Sequence, residues 1–349
     1  MPQKRMLIAG ATGQIGSSVA RHFMQRSGWN PVGLSRRARG GDGLPMLAVD
    51  MLDAADCREK LAAVPGITHV VYAARHDHAG GKQESADVNG QMLANLLAAV
   101  GDRPDLRHVH LVHGSKYYGS HLGPAPVPYR EDAPRHDGQL FYYQQQDLLL
   151  AQQRGRAWNW TISRPHTFCD LSVSEPRSIT LLVALYASIQ KARGLPLHFP
   201  GTRQAFEART QFTWLPMLAR AVQWLISDPA CANQAFNIVN DDPQSWRAMW
   251  PAVADYFGMD WTVGEAQPLA GYGDSHADAW NGIVAAHGLR NTDLRSVAQW
   301  AYADYVFSAQ WDVVSSMDKA RQYGFDDKVD TLRMWRESFD FYRARKIIP

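Results

Sequence analysis

The run "RMLIAGATGQIG", residues 5–16, limits the fold more than any other stretch of the chain. A short apolar segment meets a turn containing Gly10, Gly13 and Gly16, and a helical pattern, "QIGSSVARHFM", begins inside that turn. Glycines at this spacing let a strand reverse tightly into a helix, let backbone approach a ligand, and let helix and strand pack closely. The helix amino terminus then faces whatever lies beyond the strand, and its unpaired N–H groups favour negative charge. The stretch therefore predicts the pyrophosphate cradle of a dinucleotide site; an ordinary βα turn is the plainer alternative.

The segments that follow have the same rhythm. "NPVGLS", "LPMLAVD", "THVVYAA", "HVHLVHG" and "WTISRP" read as strands, with helical patterns such as "DAADCREKLAAV" and "ADVNGQMLANLLAAV" between them. Short runs that are apolar almost throughout suit strands covered on both faces, and their alternation with helices predicts an α/β fold with a doubly wound parallel sheet. After Pro165 the alternation fails and longer, tryptophan-rich helical segments follow, which predicts a smaller, mostly helical lobe over the carboxyl ends of the strands. The expected division is a nucleotide-binding domain over residues 1–170 with a segment near 205–242 returning to it, and a substrate lobe formed by 171–204 and 243–349.

Thirty-six basic against 34 acidic side chains leave a net charge of +2, which argues against nucleic acid or a membrane surface as partner. No apolar stretch reaches the ~20 residues of a membrane helix, and no leader pattern precedes the first strand. The three cysteines, Cys57, Cys169 and Cys231, are odd in number and widely spaced, as expected of a cytoplasmic protein without a disulfide framework.

The second strand bears on which dinucleotide is bound. A free ribose hydroxyl is usually held by an acid at its end, but this chain has "GLSRRARG" there. Ser35, Arg36 and Arg37 offer hydroxyl and guanidinium donors suited to a 2′-phosphate, so NADPH is expected over NADH. Asp50 and Met51, ending the third strand, are placed to meet the adenine, and Ala73 and Ala74, ending the fourth, are small enough for the cofactor to lie across them.

The chemistry centres on "GQLFYYQQQD", residues 138–147. A tyrosine acting as base at neutral pH needs a nearby cation, commonly a lysine one helical turn on, but Tyr142 is followed at that spacing by Gln146 and Tyr143 by Asp147. The only lysine placed to compensate is Lys116, just beyond the fifth strand in "HGSKYYG". The thirteen histidines, among them "RHDH" and "HVHLVH", have no convincing carboxylate or cysteine partners for a metal. His113 reads more readily as a packed strand residue than as a neighbour of the nicotinamide or substrate.

These segments, with "PYREDAPR", "GLPLHFPG", "QAFNIVN" and "RARKIIP", resemble in order and spacing the progesterone 5β-reductase and iridoid synthase-like enzymes, an atypical branch of the extended short-chain dehydrogenases. The resemblance implies a Rossmann-type fold, Tyr142 and Lys116 as the catalytic pair, and a homodimer. It further implies nucleotide contacts at Thr12, Gly13, Gln14, Ile15, Arg36, Arg37, Asp50 and Met51, and at Ala74, Val112, Thr167 and Phe168. Four positions depart from the family pattern: Ser115 where an arginine is usual, Leu140 for asparagine, and His166 and Asp170 for glycines.

The implied reaction is NADPH-dependent reduction of a carbon–carbon double bond conjugated to a carbonyl, in a small apolar enone or enal. Two alternatives stay open. One is carbonyl or alcohol oxidoreduction, or nucleotide-sugar epimerisation, on the same fold; the other is a non-catalytic NADPH-sensing regulator.

Overall fold

The computed structural model describes residues 3–37, 43–76, 84–172, 176–290 and 293–349. In chain order the elements that build the site are β1 (Lys4–Ala9), α1 (Gln14–Met24), β2 (Trp29–Ser35), β3 (Met46–Ala48), α2 (Ala54–Ala62), β4 (Ile67–Tyr72), α3 (Ala86–Val100) and β5 (His108–Val112). There follow α4 (Phe141–Gln153), β6 (Asn159–Arg164), β7 (Phe168–Cys169), α5 (Ile179–Ala192), β8 (Leu197–His198), α6 (Arg203–Glu207), β9 (Arg209–Thr210), β10 (Thr213–Trp214), α7 (Leu215–Ser227) and β11 (Gln234–Asn237).

Seven strands form one parallel sheet in the order β11-β6-β5-β4-β1-β2-β3. Successive strand residues point to opposite faces, and the chain exploits this in β1. Met6 and Ile8 pack with Val19 and Phe23 of α1 and Leu218 and Val222 of α7. Leu7 and Ala9 pack on the other side with Cys57 and Leu61 of α2 and Leu93 and Leu96 of α3. Each large apolar side chain buried this way contributes roughly 1.5–3 kcal/mol, which is why the strands read as unbroken apolar runs.

One line through the sheet is polar instead. His108 Nε2 and His110 Nδ1 each lie 2.8 Å from Thr161 Oγ1, and His110 Nε2 lies 3.0 Å from Ser163 Oγ. His69 stacks on His108 at 6.5 Å. Burial pushes His69 down to about 4 and His110 to about 3, so these rings are neutral and are held by hydroxyl partners.

Strand order reverses between β1 and β4, and in such sheets the crevice beyond the carboxyl ends at this point is where ligands bind. The segments after β6 carry a further core, and the ring centre of Tyr305 among them stands 5.5 Å from Lys116 Nζ just beyond β5. Their core gathers α5 with Phe199, Phe212, Trp246, Trp250, Phe307 and Trp335, so Trp246 and Trp250 belong to packing, as their helical spacing suggests. Among the described residues no helix is long and apolar enough to cross a membrane.

Candidate active site

The glycine turn is built to the demands of its backbone. Gly10 sits at φ +80°, and a Cβ there would stand 2.8 Å from the backbone of Ala73 and Ala74 at the end of β4. A Cβ on Gly16 would stand 2.2 Å from the Gly10 carbonyl oxygen, so this glycine lets α1 pack against β1. Gly13 is different: a methyl would meet only the Gly10 carbonyl at 3.4 Å, an ordinary contact. It is the N-cap of α1, provides no side-chain cap, and is followed by a first turn without acids. The helix N–H groups therefore face the crevice unshielded, as an anionic pyrophosphate requires. Thr12 is exposed at the same turn, Ile15 packs against the core beneath it, and Gln14 Nε2 is buried without a hydrogen-bond partner. An open cradle with an orphaned amide donor fits a phosphate-bearing dinucleotide.

At the end of β2, Arg36 and Arg37 are exposed, and the Ser35 hydroxyl donates to the Arg37 carbonyl, bracing the turn that presents both guanidinium groups. Asp50 Oδ1 accepts from Leu52 N at 3.0 Å, and the Asp50 N–H donates to Asp56 Oδ2 at 2.7 Å, so this loop is set by its own carboxylates. Met51 is buried, and its carbonyl accepts from Asn95 Nδ2 at 2.9 Å. Ala74 and Val112 lie partly buried at the ends of β4 and β5. Thr167 and Phe168 enter β7, which pairs with β10 through Phe168 and Thr213.

The paired tyrosines at the start of α4 have separate tasks. Tyr143 Oη donates to the Tyr117 carbonyl at 2.6 Å and accepts from the His136 N–H at 3.1 Å, which fastens α4 to the 3-10 turn Ser115–Tyr118. Tyr142 faces the crevice. Its hydroxyl lies 3.1 Å from where a Gly114 Cβ would stand, and its ring stacks on His113 at 4.5 Å. Burial raises the phenol's pKa well above its usual value. Among nearby charges Arg75 opposes that rise, while Glu84 and Tyr305 add to it. Tyr142 is therefore protonated at neutral pH.

Lys116 lies on the 3-10 turn, and its ammonium is held by Glu84, 3.0 and 3.2 Å from the two carboxylate oxygens. Arg75 reaches the same carboxylate at 3.3 Å, and the Lys116 Nζ stands 5.5 Å from the Tyr305 ring centre. Burial alone would raise the pKa of Glu84; Lys116 and Arg75 outweigh it and hold it below the usual carboxylate value. Arg75, Glu84 and Tyr305 are absent from the sequence reading. Glu84 precedes the Ser85 N-cap of α3, where an acid reads as an ordinary complement to the helix dipole.

Tyr117 and Tyr118 are buried under this turn. The Arg164 guanidinium stacks 3.4 Å from the Tyr117 ring centre, and its Nη1 donates to Tyr118 Oη at 2.9 Å. Leu140 is buried with them as the N-cap of α4. Asp170 is buried in a 2.6 Å ion pair with Arg21 of α1. Ser115 and His166, two of the four departures, meet: Ser115 Oγ lies 2.7 Å from His166 Nδ1.

The parallel sheet, the glycine cradle and the tyrosine at the strand ends define an extended short-chain dehydrogenase/reductase architecture with a nucleotide-type crevice. The chain belongs to the PRISE-like Rossmann-fold domain family, whose model matches residues 42–349. It is similar to (S)-8-oxocitronellyl enol synthase of Nepeta racemosa, 31% identical over 340 residues that span 91% of this chain and 85% of that one. It is also 30% identical to 3-oxo-Delta(4,5)-steroid 5-beta-reductase of Arabidopsis thaliana, across 98% of this chain and 92% of that one. In fold it is similar to a short-chain dehydrogenase/reductase superfamily protein from Agrobacterium tumefaciens solved with bound NAD, with a TM-score of 0.71, 16% identity and 98% of each chain covered.

Proposed function

We propose that the protein is an NADPH-dependent reductase of carbon–carbon double bonds conjugated to a carbonyl. Gly10, Thr12, Gly13, Gln14, Ile15 and Gly16 would hold the pyrophosphate, Ser35, Arg36 and Arg37 the 2′-phosphate, Asp50 and Met51 the adenine, and Ala74, Val112, Thr167 and Phe168 the nicotinamide half. When bound, NADPH supplies a hydride to the β-carbon of the substrate. The substrate's carbonyl oxygen then becomes an enolate, and the task of the chain is to stabilise that charge.

The observation that carries this reading is the state of Tyr142: partly buried, protonated, and with its hydroxyl beside Gly114 at the strand ends. A phenol in that state donates a hydrogen bond where charge develops; one such donor is worth roughly 3–4 kcal/mol. It makes a poor base, which carbonyl oxidoreduction and epimerisation demand. Lys116, tied to Glu84, supports the site as part of a charge group with Arg75 rather than as a lone cation. The names of the relatives, an enol synthase and a steroid 5-beta-reductase, accord with chemistry passing through an enolate.

The test is NADPH oxidation with a panel of conjugated enones, matched saturated ketones and a nucleotide sugar. Turnover with the enones alone, giving saturated carbonyl products, is expected. Turnover with saturated ketones alone overturns the reading.

A further inference from the structure

Hydride transfer leaves an enolate that still lacks a proton at its α-carbon, and the groups already described are poorly placed to deliver it. Tyr142 is engaged at the enolate oxygen. Lys116 is held by Glu84 at 3.0 and 3.2 Å. His113 is 1% exposed behind the Tyr142 ring, and neither of its nitrogens has a hydrogen-bond partner, so no path leads to it.

A different chain of groups runs to the residue next to Gly114, beside the Tyr142 hydroxyl. Thr210 Oγ1 lies 3.4 Å from His166 Nε2, His166 Nδ1 lies 2.7 Å from Ser115 Oγ, and Ser120 Oγ donates to Ser115 Oγ at 3.1 Å. Ser115 follows Gly114, the residue beside the Tyr142 hydroxyl, and its N–H donates to the Pro165 carbonyl at 3.2 Å. The chain thus joins the ends of β5 and β6 at the place where Tyr142 points. At its far end Thr210 is partly exposed, next to the exposed Arg209.

We propose that Thr210, His166 and Ser115 form a proton path from solvent to the α-carbon of the enolate. The inference rests on the enone-reductase reading. A serine oxygen accepts two hydrogen bonds and donates one. With His166 in the Nδ1–H form, Ser115 Oγ accepts from both His166 and Ser120, so its own proton is the one left to give. The His166 ring suits the task because burial holds it down to about 4, neutral, with one nitrogen donating and one accepting.

The step balances without a further reactant. The enolate electron pair forms the α-C–H bond as the Ser115 O–H bond breaks. The His166 Nδ1 proton passes to Ser115 Oγ, Nε2 takes the Thr210 proton, and solvent restores Thr210; once product has left, the reverse passage resets the ring, Ser115 Oγ giving its proton to Nδ1 and taking one from solvent entering the crevice while Nε2 returns its proton to Thr210 and solvent. One proton is consumed, and no oxidant or reductant is needed.

The experiment reduces an α-substituted enone in D2O and reads the configuration of deuterium at the α-carbon by NMR. Wild type is expected to give a single configuration. Ser115→Ala and Thr210→Val, which cut the path at opposite ends, are expected to give both configurations as the released enol ketonises in solution. They are also expected to slow formation of the carbonyl product by about a hundredfold relative to NADPH oxidation, the lower range for loss of an acid catalyst. NADPH oxidation in the same sample reports that each variant is folded. A mixture from wild type, or one unchanged configuration from both variants, overturns the path. Absence of NADPH oxidation by wild type with every enone overturns the reductase reading itself.

Discussion

The Lys116 ammonium sits between the two carboxylate oxygens of Glu84, at 3.0 and 3.2 Å, with Arg75 on the same carboxylate at 3.3 Å. A cation paired this closely has much of its field cancelled at longer range, whereas a hydrogen bond from Tyr142 acts directly on the reacting oxygen. Tyr142→Phe is therefore expected to lower kcat by about a hundred- to a thousandfold with NADPH affinity nearly unchanged. Lys116→Met is expected to cost only about tenfold, because Glu84 keeps Arg75 as partner and leaves no buried unpaired charge. Steady-state kinetics with a reactive enone, alongside NADPH titration, check both values. A larger loss from Lys116→Met than from Tyr142→Phe would reverse the assignment.

Two glycines of one turn are expected to fail for different reasons. Gly10→Ala places a methyl 2.8 Å from the Ala73 and Ala74 backbone at a φ of +80°, so the fold must shift; a loss of about 1–3 kcal/mol is expected from the backbone conformation alone. Gly13→Ala meets nothing closer than 3.4 Å, so the protein should keep its stability and lose dinucleotide affinity, the methyl lying where the pyrophosphate must approach. Urea unfolding and NADPH titration of the two variants separate these outcomes. Equal destabilisation of both would contradict the account of Gly13.

Arg36 and Arg37 stand exposed at the end of β2, where an acid would otherwise select for a free ribose. A hydrogen bond to a charged group is worth about 1.5–3 kcal/mol, so replacing both arginines by alanine is expected to weaken NADPH by at least about a hundredfold and NADH by far less. The NADPH loss should also shrink as salt is added. Equal losses for the two nucleotides would remove the arginines from cofactor selection.

What could be read from the sequence follows from the range of the forces involved. β1 and the glycine turn are local: apolar alternation and backbone geometry specify them within a dozen residues, and the structure places them as expected. Tyr142 is legible through the family resemblance, which takes the first of the paired tyrosines; the bond of its neighbour Tyr143 to the Tyr117 carbonyl has no sign in the sequence. Glu84 escaped because its role depends on a side chain 32 residues away. Ser115 and His166 were visible only as separate departures, since their meeting requires β5 and β6 to lie side by side, a non-local pairing with no signature in either segment.

The polar line through the sheet makes stability depend on pH. His69, His108 and His110 are held neutral by burial, with His69 at about 4 and His110 at about 3 against an ordinary value of 6.5. Above that ordinary value neither folded nor unfolded chain binds protons at these sites, and there is no penalty. As pH falls below it the unfolded chain takes up protons that the folded chain refuses, so stability declines, continuing for His69 until its folded value near 4 is reached. The His69 contribution alone can reach about 3 kcal/mol, following 1.36 kcal/mol per pKa unit. Urea unfolding at about pH 7.5 and about pH 5 should show the first part of this loss, about 2 kcal/mol from His69, before ordinary carboxylates titrate. His69→Gln, which removes one titrating ring from the line, is expected to flatten the slope; an unchanged slope would place the acid sensitivity elsewhere.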